Sequence, residues 1–160
     1  MPDTFVKIAS VTVGSGGASS IDFTSIPSTY TDLVVLYSLR GNTLEGIYVQ
    51  FNSSTSGFTG RYLYGDGTSP ASGVLARYLG SINTAANCFT NGSLYVPNYA
   101  GSQNKSYSVD EVYDQNSTAG YQNLVAGLWS NTAAITAIKL EAAAGLTQYS
   151  TATLYGIKNS

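Results

Sequence analysis

Between Ile21 and Gly41 the chain reads IDFTSIPSTYTDLVVLYSLRG, a stretch that admits little besides two β-strands joined by an extended turn. Ile21 and Phe23 alternate with Ser20, Asp22 and Thr24, the period-2 pattern of a strand with one buried face. The ring of Pro27 pushes Ile26 away from helical angles. Ser28, Thr29 and Tyr30 then lead into Leu33-Val34-Val35-Leu36-Tyr37, apolar on both faces and therefore predicted to lie inside a sheet.

The same punctuation runs along the whole chain. Residues 5–13 form a predicted strand, ended by Gly14-Ser15-Gly16-Gly17 and expected to pair in a hairpin with 20–26. Further strands are predicted at 47–52, 61–64, 73–82, 89–96, 106–113, 123–130, 138–141 and 149–157. Pro97 predicts that the strand ending there lies at a sheet edge or bulge. Only 114–123 and 132–137 have room for a helical turn, and Ala142 to Gly145 reads as a turn between strands. About ten short strands at roughly 8–12-residue spacing predict an all-β fold. Its form is a single antiparallel β-sandwich, jelly-roll-like, over residues 1–160. The alternation places Phe23, Leu33, Val35, Val49, Phe51, Leu124, Leu128, Leu140 and Leu154 in one core, with Trp129 packed among its apolar neighbours.

Charge is scarce. Asp, Glu, Lys and Arg make up 10% of the chain, against about a quarter in ordinary domains. Such a surface suits either a robust extracellular β domain or one whose flanks pack against other copies, since interface cores favour Tyr and exclude Lys and Glu. The net charge is −2 and the seven cations are scattered singly, which argues against nucleic-acid binding by phosphate neutralisation. No run approaches the roughly 20 apolar residues of a membrane helix. The N-terminus lacks the basic and apolar regions of a secretory signal, so the protein is expected to be made in a cytoplasm.

Catalytic options are few. With no histidine, nucleophile–histidine catalysis and His-ligated metal sites are excluded. Cys88, the single cysteine, is expected to be a small buried hydrophobe. Paired carboxylates remain, with Asp110, Glu111 and Asp114, or Glu45 and Asp66, as candidates. Adjacent strand residues face opposite ways, so Asp110 and Glu111 cannot cooperate, and these acids are expected to be solvated. No catalytic residue, metal site or cofactor is assigned.

A ligand or partner surface is more plausible. Arg61-Tyr62-Leu63-Tyr64-Gly65-Asp66 mixes aromatic rings with polar groups. If Leu63 faces the core, then Tyr62, Tyr64 and Asp66 lie on the outer face, where rings could stack on a sugar. Arg77-Tyr78 is a second, weaker instance. The competing reading packs these rings against a neighbouring subunit or the second sheet.

The strand, Ile26-Pro27 turn, Tyr30 and buried strand leading to Arg40 resemble small jelly-roll (β-sandwich) virion proteins of tailed bacteriophages. The N-terminal PDTFVKIASVTVGSGGASS and the closing Tyr149-Ser150-Thr151-Ala152-Thr153-Leu154-Tyr155-Gly156-Ile157 extend the resemblance to both ends. It implies a non-enzymatic structural protein of the virion, assembled in the bacterial host cytoplasm. Within the particle it implies an outer capsid decoration or cement protein, homotrimeric, with the major capsid protein as first partner. A tail fibre is expected to carry a long shaft on the same chain, which favours the compact capsid role. The alternative is a carbohydrate-binding attachment module of a tail or head fibre, contacting a cell-surface glycan through Arg61, Tyr62, Tyr64, Asp66, Arg77 and Tyr78.

Overall fold

The computed structural model describes residues 4–158, so Pro2 and Asp3 of the N-terminal segment lie outside the described residues. Twelve strands run in the order β1 (Phe5–Thr12), β2 (Ala18–Phe23), β3 (Asp32–Leu39), β4 (Gly46–Phe51), β5 (Phe58–Gly65), β6 (Ala71–Val74), β7 (Tyr78–Ser81), β8 (Thr90–Val96), β9 (Lys105–Asp114), β10 (Gly120–Trp129), β11 (Ile138–Leu146) and β12 (Thr151–Ile157). They form two antiparallel sheets. The larger has the order β1-β12-β3-β8-β9-β10-β5-β6 and the smaller β2-β11-β4-β7. The fold is a β-sandwich, and the chain crosses between the sheets at every connection except β5–β6, β8–β9 and β9–β10. This alternation gives the jelly-roll-like wrap, with β8 and β9 spliced between β3 and β10.

Several local expectations change once distant partners are known. β1 and β2 do not form a hairpin: β1 pairs with β12 and β2 with β11, so the turn at Gly14 to Gly17 carries the chain between sheets. Residues 73–82 are not one strand but two, β6 and β7, in opposite sheets. Arg77 turns that corner with φ of 62°. β8 is flanked by β3 and β9, so Pro97 marks the end of an interior strand, not an edge. β11 runs through Ala142 to Ala144 as a strand with an irregular register, where a turn was expected.

The core between the sheets holds Phe23, Leu33, Val35, Val49, Phe51, Leu140 and Leu154, as the alternation predicts. Its densest part is aromatic. Phe51 of β4 meets Phe58, Tyr107 and Trp129 from the opposite sheet, each at 5.7 Å between centroids. Phe58 stacks on Trp129 at 5.9 Å and 20°. Leu124 and Leu128 do not join this core: Leu124 is 42% exposed and Leu128 only half-buried. The register explains why. Phe58 and Trp129 are cross-strand partners, and both rings need the interior. With Trp129 inward, period 2 sends Val125 and Asn123 inward and Leu124, Ala126 and Leu128 to the outer face.

Candidate functional site

The same aromatic anchor decides β5. Counting in twos from Phe58 directs Gly60, Tyr62 and Tyr64 toward the interior and Thr59, Arg61 and Leu63 outward. Leu63 is 59% exposed. The condition under which Tyr62 and Tyr64 would present an outer platform is therefore not met, and both rings turn into the mouth of the sandwich. There Tyr62 meets the small sheet: it lies 5.4 Å from Tyr78, and Tyr48 lies 6.2 Å from Tyr78. Tyr48, Tyr62, Tyr64 and Tyr78, with Gly46, Ala71, Leu75 and Asn123, line a crevice of about 280 Å³. Beside it Tyr64 stacks on Tyr121, and Tyr121 on Tyr113 at 4.8 Å. The glycines make room. A Cβ at Gly73 would lie 2.7 Å from the Tyr62 hydroxyl, and one at Gly46 would lie 2.8 Å from that of Tyr48.

Behind the crevice lies a carboxyl in the core. Glu111 alternates with Tyr107, Val109 and Tyr113 on the inward face of β9 and is 1% exposed, not solvated as expected. Its Oε1 accepts from the Ser81 backbone N–H at 2.7 Å and from Asn123 Nδ2 at 3.0 Å. Its Oε2 accepts from the Tyr37 hydroxyl at 3.1 Å. Burial pushes its pKa up to about 8, because the three donors only partly replace lost water. Burial thus favours the protonated carboxyl, against the three donors, which favour the charged form. Tyr37 is raised well above the usual phenol range, by burial first and by Glu111 second. Gly80 passes directly over this group, where any Cβ would sit 1.9 Å from Glu111 Oε1. Asn123 is fully buried; its Nδ2 is committed to Glu111 and its Oδ1 has no partner.

The remaining sequence candidates scatter. Arg61 faces outward and donates from Nη1 to its neighbour Gly60 O at 3.1 Å. Asp66 closes a turn, its Oδ1 accepting from Thr68 N, Thr68 Oγ1 and Ser69 N at 2.8, 2.7 and 3.0 Å. Those donors lower its pKa to about 2. Arg77 pairs with Glu141 at 2.6 Å, and its guanidinium lies over the Tyr48 ring at 5.6 Å. Of the six candidates, then, only Tyr62, Tyr64 and Tyr78 come together, and they do so inside the mouth. Sequence reading missed Tyr48 and Asn123, and it named Glu111 only as a solvated acid. The signal for Glu111 was an acid in step with Tyr107, Val109 and Tyr113; that for Asn123 was its parity with Trp129.

The acids do not converge on one bond. Asp110 is exposed on the face opposite Glu111, Asp114 Oδ1 accepts from Asn116 N, and Glu45 Oε1 accepts from Ala144 N. Among the described residues, no group of three or more His, Cys, Asp or Glu side chains could hold a metal ion.

A second hollow, about 660 Å³, lies on the outer face of the large sheet. Arg61, Leu63, Val74, Asp110, Leu124 and Ala126 are among its lining residues. Comparison with protein-family models, curated proteins and solved structures found no match for this chain.

Proposed function

We propose that the chain is a non-enzymatic structural protein of a tailed-bacteriophage particle. It decorates or cements the outer capsid, holding to other virion proteins, the major capsid protein first, through the outer face of its large sheet. The observation that carries this reading is the apolar hollow on that face. Leu63 and Val74 are 59% and 66% exposed there, and only Arg61 and Asp110 among the lining residues are charged. Monomers rarely leave large contiguous apolar patches in water. Covering this one strips few charges of their hydration, so desolvation costs little.

The cross-strand row through the hollow continues in the same chemistry. Thr153, Leu36, Ser93, Asp110, Leu124, Leu63 and Ser72 lie side by side from β12 to β6. One acid in seven positions makes a surface that can face another subunit. The non-enzymatic part of the reading is supported by the separation of Asp110 from Glu111 and by the backbone contacts of Glu45, Asp66 and Asp114. The sequence resemblance supplies the particle, the host cytoplasm as the place of assembly, and the homotrimer.

Electron microscopy of the particle tests the reading, with this chain expected on the capsid lattice at trimer positions. Density confined to the tail would overturn the capsid assignment. Particles assembled with Leu124→Asp, a change on the outer face, should lose the chain while the variant itself stays folded. Retention at full occupancy would show that this face does not dock. Light scattering at low and molar salt should give one unchanged oligomer mass, because screening weakens mainly ionic contacts.

A further inference from the structure

The tyrosine crevice is not explained by the assembly role. It opens at the mouth of the sandwich, away from the outer face, and its walls come from both sheets: Gly46 and Tyr48 on β4, Tyr62 and Tyr64 on β5, Ala71 on β6, Tyr78 on β7 and Asn123 on β10. Strands hold these walls in register, and Asn123, fully buried at the floor, is reached when the tyrosine rings above it part.

Its chemistry selects a ligand. Four phenol rings offer apolar faces with polar edges, suited to a molecule that is itself apolar on one face and hydroxylated at its rim. No charged side chain lines the crevice, so a charged ligand would be desolvated with nothing to balance it. The volume, about 280 Å³, falls at the lower end of small-molecule sites and holds one ring rather than a chain of them. One wall also carries an unmet demand. Asn123 lines the crevice and is fully buried, yet its Oδ1 has no hydrogen-bond partner. A buried acceptor without a donor is costly, and native structures rarely leave one. Rotating the amide does not remove the demand; it would exchange an orphan acceptor for an orphan donor.

We propose that the crevice between Tyr48, Tyr62, Tyr64 and Tyr78 binds a single uncharged sugar ring, with one ring hydroxyl bonded to the free side of the Asn123 amide. The hydroxyl group suits either amide orientation, since it both donates and accepts. Tyr62 and Tyr78, 5.4 Å apart and inclined at 59°, form a corner of the crevice against which the ring packs, and Tyr48 and Tyr64 border it. Ala71 and Leu75, both exposed, form the rim.

Nitrogen-edited NMR titration of the full chain with methyl glucoside, methyl galactoside, methyl mannoside and N-acetylglucosamine tests this. At least one is expected to bind with a millimolar dissociation constant and to shift the Asn123 side-chain amide together with the Gly46 backbone, which lines the crevice. Glucuronic acid should bind at least about tenfold more weakly than its neutral counterpart. Ala71→Trp, which plugs the rim without touching the core, should weaken binding about tenfold at unchanged melting temperature. Leu75→Trp serves the same purpose from the other side should the first variant fold poorly. Tyr62→Phe should weaken it severalfold. A bacterial surface polysaccharide competing with the monosaccharide would assign the ring to a glycan terminus; monosaccharide binding alone would assign a free sugar. No shift of the Asn123 amide with any neutral sugar at about 50 mM, or shifts that survive both rim plugs, would overturn the proposal. Either result leaves the outer-face assembly reading untouched, since the two sites share only Tyr62 among the tyrosines.

Discussion

Replacing Glu111 with Gln keeps the shape of the buried side chain and removes its ability to ionise. In the folded protein the carboxyl holds its proton until about pH 8, whereas an exposed one releases it near the ordinary 4.5. A folded-state pKa above the unfolded one makes the native state the stronger proton binder across this window. Its contribution is therefore fully present below about pH 4.5 and is lost as pH rises through 8. At about 1.4 kcal/mol per pH unit, the gap from 4.5 to about 8 is worth on the order of 5 kcal/mol. Glu111→Gln lacks this loss. The amide oxygen can still accept from Ser81 N, and the amide nitrogen can donate to the Tyr37 hydroxyl or to Asn123 Oδ1, whose orphan state would then end. The variant should match wild type at pH 5 and exceed it by several kcal/mol at pH 9. Urea unfolding followed by fluorescence of Trp129, the only tryptophan and 2% exposed, gives both stabilities directly. Other groups, such as Glu141, whose pKa is lowered by Gln50 and Arg77 despite some burial, titrate equally in both proteins and cancel in the difference. Parallel stability–pH curves for the two proteins between pH 5 and 9 would refute the reasoning, because they would mean that the buried carboxyl binds its proton no better than an exposed one.

Three further outcomes follow from the same packing. Gly80→Ala should destabilise strongly, since its Cβ would strike Glu111 Oε1, and the cost should shrink in a Glu111→Ala background, a coupling that a double-mutant cycle by urea unfolding measures. Lys105→Met should cost about 2–4 kcal/mol in the same assay, because the buried ammonium donates to the carbonyls of Gly101, Gln103 and Thr132 and its loss leaves them unpaired. Val35→Asp should fail to accumulate as soluble protein, while Leu124→Asp should melt within a few degrees of wild type; equal behaviour of the two in a thermal melt would contradict the assigned faces of β3 and β10.

The strands, and the sandwich they build, were legible because their signals are local: period-2 alternation between clusters of Gly, Asn, Ser and Pro. The inward set Ile138 and Leu140, flanked by Lys139 and Glu141, follows from four residues alone. Local pattern points to the wrong faces of β5 and β10, since Leu63 stands between two tyrosines and Leu124 follows Asn123. That parity is set across the sandwich, where Phe51 of β4 requires Phe58 and Trp129 to face it. One choice there reverses both strands, carries Tyr62, Tyr64 and Asn123 into the mouth, and leaves Leu63, Leu124 and Ala126 outside. The pairing of β1 with β12 and the burial of Glu111 are of the same kind, for the partners lie far apart in the chain and only closure of the sandwich brings them together. Alternation thus determined that this chain makes strands with one buried face. Which face that is, and hence where its surfaces and its crevice lie, was decided by aromatic rings from two sheets competing for one interior, a contest that exists only in the folded molecule.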